Sequence, residues 1–272
     1  MFVPFPYVRY SNPWPYIESP SYDIQPKPLT FVLIHGSWAD TSFWDEIAAE
    51  LRHLGHMVYV PEYAGHGADP NKAVTHAMIT QSVVDYIVSH NLHNIILVGH
   101  SFGGTVVQKV AEQIPDRIRR MVFWNAFVLK DGESAAEELP PAVRETFIQL
   151  RKSSPDDTIK LPFPVFRENF ANTASFEFAS HMYHQTPSEP AGPLFERLDL
   201  KKFYNLTIPR SYVNLTEDTA ISPQADGSYG WHPHMSSRLG LFRYIQGVGD
   251  HFSTAKTDPR SVAYRIYEAG RD

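Results

Sequence analysis

The chain has 272 residues, enough to bury one large core without a second domain, and it carries a net charge of −6 with 43% hydrophobic and 20% charged residues. That balance offers no polyanion-binding surface, and no apolar run approaches the ~20 residues of a bilayer span, so neither nucleic acid nor membrane is an expected partner. Cysteine is absent, which removes disulfides, thiolate metal sites and a cysteine nucleophile.

Residues 1–30 stand apart. Prolines at 4, 6, 13, 15, 20, 26 and 28 alternate with aromatics. Proline fixes φ and lacks an N–H, so this stretch reads as an extended arm. It has no basic n-region and no unbroken apolar core of a signal peptide, and a cytoplasmic location is the expectation.

The next hundred residues alternate strand and helix signals. Phe31–Ile34 is a short continuous apolar run, the mark of a strand buried on both faces. An amphipathic helix follows, with Trp44, Ile47, Ala48 and Leu51 on one face. Met57–Val60 is a second strand, Val83, Val84, Ile87 and Val88 mark a second helix, and Ile95–Val98 is a third strand. A helix from Thr105 to Ile114 and a strand from Met121 to Trp124 complete the alternation. This pattern predicts a mostly parallel sheet with helices on both faces. Over 131–205 the pattern breaks into proline-punctuated stretches, with helices predicted at Arg144–Leu150 and Ser175–Tyr183; this segment reads as an inserted helical cap. Strands resume at Pro209–Val213 and Leu241–Ile245, and a final helix spans Pro259–Ala269. The core is therefore expected over 31–130 and 206–272.

Between the third strand and its helix lies Gly99-His-Ser-Phe-Gly-Gly104. A serine on a sharp strand-to-helix turn is exposed to substrate, the flanking glycines permit close chain approach, and the helix N-terminus favours a developing anion. Ser101 is the candidate nucleophile. Its proton needs a base, and histidine titrates near neutrality. With nucleophile, acid and base in that chain order, the base should follow the last strand. Among 13 histidines, His251 meets this, in Gly247-Val-Gly-Asp-His-Phe252. His232 and His234 follow no strand end, and His100 is expected to point away from the elbow. The acid should follow the strand ending at Val213, which selects Asp218 over Glu217; Asp250 adjoins the histidine too closely, and Asn125 cannot act as a carboxylate. Phe102 N–H and Ser37 N–H are the candidate oxyanion donors. Trp38, Trp124, Phe127 and Phe252 adjoin the site loops and are candidate substrate-binding residues. His232-Pro-His234 lacks a third ligand, so no metal and no cofactor are expected.

The strings Phe31-Val-Leu-Ile-His-Gly-Ser-Trp38, Gly55-His-Met-Val58, Val98–Gly104, Thr216-Glu-Asp218 and Gly249-Asp-His251 resemble the hydroxynitrile lyase and plant methylesterase branch of the α/β-hydrolases. Bacterial salicylate-esterase-like members look closest. The resemblance covers about residues 30 to 270 and implies the α/β-hydrolase fold with a Ser101–His251–Asp218 triad. In that branch the lyases carry threonine at the position of Gly36 and lysine after the histidine, where this chain has Phe252; the esterases resemble this chain at both points. Asn125 and Leu129 depart from the aspartate and proline of bacterial members, just before the cap. The expectation is a serine hydrolase cleaving a small apolar aryl or alkyl ester. Alternatives are a lactone, an amide or carbamate, or a carbon–carbon bond cut by the same triad, and a receptor-like protein with slow turnover. A homodimer is compatible with the sequence.

Overall fold

The computed structural model describes residues 27–272. The arm expected at the N-terminus falls mostly on residues 1–26, outside the described residues.

The core is a sheet of six strands: β1 (Thr30–Ile34), β2 (Met57–Tyr59), β3 (Ile95–Ser101), β4 (Ile118–Ala126), β7 (Arg210–Leu215) and β8 (Arg243–Gly247). Their order is β2-β1-β3-β4-β7-β8, and every neighbouring pair is parallel. A parallel sheet needs both faces covered. That is why β3 is buried along its whole length and β4 over its last six residues. The covering helices are α1 (Asp45–His53), α2 (His76–Ser89), α3 (Gly103–Gln113) and, after the cap, α9 (Thr254–Thr257) and α10 (Pro259–Gly270). Their limits follow local chemistry. Thr75 Oγ1 accepts the Met78 N–H to start α2, and Asp258 caps α10 with Pro259 in its first turn.

Between β4 and β7 the chain leaves the sheet. This insertion holds α4 (Pro141–Ser153), α5 (Phe163–Asn169), α6 (Phe176–Gln185), α7 (Gly192–Phe195) and α8 (Lys201–Asn205). It also holds two two-residue strands, β5 (Thr158–Ile159) and β6 (Glu189–Pro190), paired antiparallel. Strands this short carry no periodicity, and the sequence gives no sign of them. The last sheet strand lies two residues later than expected, at Arg243–Gly247 instead of Leu241–Ile245. Leu241 belongs to the preceding loop and is exposed.

Candidate active site

Three strand ends build the site. Ser101 closes β3, Asp218 lies in the turn after β7, and His251 lies in the loop after β8. Because β7 and β8 are neighbours, their loops tie directly: Thr216 N–H donates to Gly247 O and Glu217 N–H to Gly249 O, each at 3.0 Å. Parallel strands place all three loops at one end of the sheet.

Ser101 has a left-handed φ of 54°. A non-glycine residue rarely adopts it, and here the surrounding chain enforces it. A Cβ at Gly103 would stand 2.6 Å from His35 O, and one at Gly99 would stand 2.6 Å from Gly103 O, so the elbow closes only with glycine on both sides. Ser101 Oγ lies 2.9 Å from His251 Nε2, and His251 Nδ1 lies 2.6 Å from Asp218 Oδ2. All three are buried, at 6%, 2% and 8% exposure, so their mutual interactions are little screened by water. The ring of His251 lies parallel to Trp231 (centroids 5.3 Å, 5° apart) and edge-on to Phe170. Its orientation is thus fixed by packing as well as by hydrogen bonds.

Asn125, which the sequence marked only as unable to act as a carboxylate, contacts the acid directly. Its Nδ2 donates to Asp218 Oδ2 at 2.7 Å and to Leu215 O at 3.1 Å, while its Oδ1 accepts the Leu215 N–H at 2.7 Å. Asp218 Oδ1 accepts the Ala220 N–H at 2.9 Å. Asn125 cannot supply a carboxylate, but its amide holds the one that β7 delivers. The signal was its place at the end of β4, between β3, which carries Ser101, and β7, which leads to Asp218.

His100 departs from expectation. Its ring does not point away: it lies 4.5 Å from the His251 ring and stacks on Phe43 at 4.6 Å. It is fully buried and neither ring nitrogen has a hydrogen-bond partner among the described residues. Burial, followed by the neighbouring His251, pushes its pKa well below the ordinary imidazole value. It is a neutral packing surface beneath His251. His232 and His234 lie elsewhere: His232 Nδ1 meets Ser236 Oγ, and His234 Nε2 meets Glu138. Asp250 is engaged by Thr173, Ser253 and Thr254, which folds the loop and leaves His251 to Asp218. Among the described residues, no group of three or more His, Asp or Glu side chains gathers as a metal site.

The candidate oxyanion donors flank the serine. Ser37 lines the cavity beside Ser101, and Phe102 is the N-cap residue of α3. Neither N–H takes part in a turn, loop or side-chain hydrogen bond among the described residues. A Cβ at Gly36 would stand 2.5 Å from Ser101 Cβ and 3.2 Å from Oγ. A side chain there, threonine included, has no room.

A cavity of about 80 Å³ opens over Ser101. Core loops contribute Phe127, Ile221 and Trp231, and the cap contributes Leu139, Val143, Phe147, Val165, Phe170 and Leu194. Apart from Ser37, Ser101 and His251, Asn169 is the polar residue among its lining side chains, and no carboxylate or cationic side chain is present there. Of the four candidate substrate-binding residues, Trp38 and Phe127 line this cavity. Trp124 does not: it is fully buried in the core against Phe43, Trp44 and His100, because its place in β4 turns it inward. Phe252 does not line it either. Its ring packs between Phe43 and Phe166 and faces a separate groove beside α6.

Residues 31–259 match the model of the alpha/beta hydrolase family, and the chain belongs to that family. Its relatives include a carbendazim hydrolyzing esterase from Nocardioides sp. (strain SG-4G), 38% identical over 125 residues, which are 43% of this chain and 52% of that protein. Methylesterase 2 of Arabidopsis thaliana is 26% identical over 71% of this chain and 79% of its own. Among solved structures, an extracellular alpha/beta-hydrolase from a Paenibacillus species, described as sharing structural and functional homology with tobacco salicylic acid binding protein 2, is 59% identical. It covers 90% of this chain and 100% of its own, with a TM-score of 0.88. Its description as extracellular differs from the cytoplasmic location expected above. Among the described residues, no helix is long and apolar enough to cross a membrane.

Proposed function

We propose that this chain hydrolyses small, uncharged, apolar carboxylic esters through an acyl-enzyme on Ser101. The observation that carries the reading is the linear arrangement Ser101 Oγ–His251–Asp218, at 2.9 and 2.6 Å, under an apolar roof. The esterase relatives support the class of reaction.

The step runs as acyl transfer. Ser101 Oγ bonds to the carbonyl carbon while His251 Nε2 takes its proton. Asp218 holds the imidazole tautomer and stabilises the imidazolium. The tetrahedral oxyanion forms between the Ser37 and Phe102 N–H groups, where one donor is worth about 3 kcal/mol. His251 then returns the proton to the leaving alkoxide oxygen. Water attacks the acyl-enzyme, gives its proton to His251 and releases the acid, with Ser101 regaining its proton.

The cavity sets the substrate class. Its volume of about 80 Å³ is roughly half the ~150 Å³ of a cavity that admits benzene. A short acyl group fits with little displacement, and the absence of a charged wall among the lining residues favours neutral esters. A panel of aryl and alkyl esters, a lactone and an anilide, run on wild type and Ser101→Ala, tests this. Short-chain aryl esters should turn over fastest and the variant should lose about 10⁴-fold or more. Turnover of the lactone or anilide above every ester, or undiminished activity in Ser101→Ala, would overturn it.

A further inference from the structure

A buried polar cluster lies on the seam between cap and core, and the chemistry above does not use it. Trp38 follows Ser37 and holds a left-handed φ of 57°. A bulky side chain keeps that conformation only where its surroundings over-determine it. Both N–H groups of Trp38 are held from the cap. The main-chain N–H donates to Glu189 Oε2 at 2.8 Å, and the indole N–H donates to Ile159 O at 2.8 Å. Ile159 and Glu189 are cross-strand partners in the β5–β6 pair, so the two holds belong to one unit.

Glu189 is fully buried. Its Oε2 also faces His66 Nε2 at 3.1 Å, and its Oε1 has no partner among the described residues. A buried carboxylate with one oxygen unpartnered is destabilising relative to an apolar residue of the same size. Packing alone therefore gives no reason for it. The second nitrogen of His66 faces Ala64 O at 3.1 Å. An acceptor therefore faces each ring nitrogen, an arrangement that favours the doubly donating, protonated ring. Burial alone would lower the His66 pKa; the facing Glu189 charge and hydrogen bond outweigh it and raise it.

We propose that Glu189 is a positioning residue for the oxyanion hole, acting from the cap through the Trp38 backbone to hold the chain at Ser37. The inference rests on the reading of Ser37 N–H as an oxyanion donor. Without the Glu189 acceptor, Trp38 is free to relax to negative φ. The peptides on either side of it then rotate, and a donor that must stand 2.7–3.1 Å from the developing oxyanion moves off target. The cap thus couples to the chemistry: whatever lifts β6 loosens the hole.

The test uses the full chain. In Glu189→Gln, which keeps shape and an acceptor but loses the charge, kcat for p-nitrophenyl acetate should fall roughly 5-fold, charge-assisted bonds being about twice as strong as neutral ones. In Glu189→Ala it should fall roughly 50-fold, with KM within about 2-fold in both, because the lost contact is made only in the transition state. Affinity for an aryl trifluoromethyl ketone, which forms a tetrahedral adduct on the serine, should fall by the same factors. The isosteric Gln variant keeps the test decisive if Ala does not fold. A folded Gln variant with kcat and ketone affinity within 2-fold of wild type, or a loss carried by KM alone, overturns the proposal. Ser101→Ala run alongside separates the failures: if it stays active the serine reading falls, and if it is dead while Glu189 variants are unimpaired only this inference falls.

Discussion

Ser101, Asp218 and His251 stand at or just beyond the C-terminal ends of β3, β7 and β8 in one parallel sheet, whereas most of the walls above them come from short helices between β4 and β7. The first region is held by backbone geometry: enforced positive φ at Ser101, glycines pressed against carbonyls, and loop-to-loop hydrogen bonds. The second is held by apolar side-chain packing across helices of four to thirteen residues. A site of the first kind tolerates little displacement, while a wall of the second kind can be reshaped. On the proposed reading, the difference places control of rate in the core and of selectivity in the cap.

The sharpest way to break this comparison is at Gly36. Alanine there puts a Cβ 2.5 Å from Ser101 Cβ, so kcat should fall roughly 100-fold through misplacement of the nucleophile, measured as steady-state kinetics with the fold checked by circular dichroism. A fully active Gly36→Ala would show that the elbow is more yielding than its geometry implies. Next is Asn125→Ala, which removes the amide from Asp218 and the acceptor from Leu215 N–H. Activity should drop roughly 10-fold, and stability should fall by about 1–3 kcal/mol from the unpartnered buried N–H, read by urea denaturation. On the cap side, Phe147→Ala enlarges the roof. Its effect should appear as a changed order of preference toward bulkier esters, with kcat/KM for p-nitrophenyl acetate altered by less than roughly 10-fold.

The effects of pH fall on stability instead of turnover, and they separate the two regions by window. His76 and His100 are buried in the core and burial lowers both; His76 is pushed down to about 3. A folded pKa below the unfolded one means the unfolded chain takes up the proton first. Stability should therefore fall below about pH 6.5, by roughly 1.4 kcal/mol per pH unit for each histidine. His66 at the seam has the opposite sign. Glu189 faces it from the cap, and Glu62, Tyr63, His35 and Asp69 face it from the core loops. Its raised pKa gives stability that is fully present below 6.5 and lost as pH rises through the raised value. The Tm difference between wild type and His66→Gln should be widest at or below pH 6.5 and should close above it.

The same division decided what the sequence revealed. Strands such as Phe31–Ile34 and Ile95–Val98 were legible because two-sided burial writes a continuous apolar run. The elbow was legible because only glycine fits beside Ser101, and the positions of Asp218 and His251 follow from the order of strand ends. Trp124 was misread because nearness to a site loop in sequence says nothing of which face of β4 a side chain takes. The links of Trp38 to Ile159 and Glu189 join residues 121 and 151 positions apart. No local pattern encodes such pairings, and two-residue strands have no period to detect. Asn125 was noticed as a missing carboxylate when its role is to hold one.

The central claim is that Ser101 is an activated nucleophile. The direct measurement is intact and peptide mass spectrometry after exposure to an aryl fluorophosphonate. One phosphonyl adduct, on the peptide bearing Ser101, absent in Ser101→Ala and slowed at least 100-fold in His251→Ala, is the expected result. No adduct, or an adduct on another residue, would contradict the account.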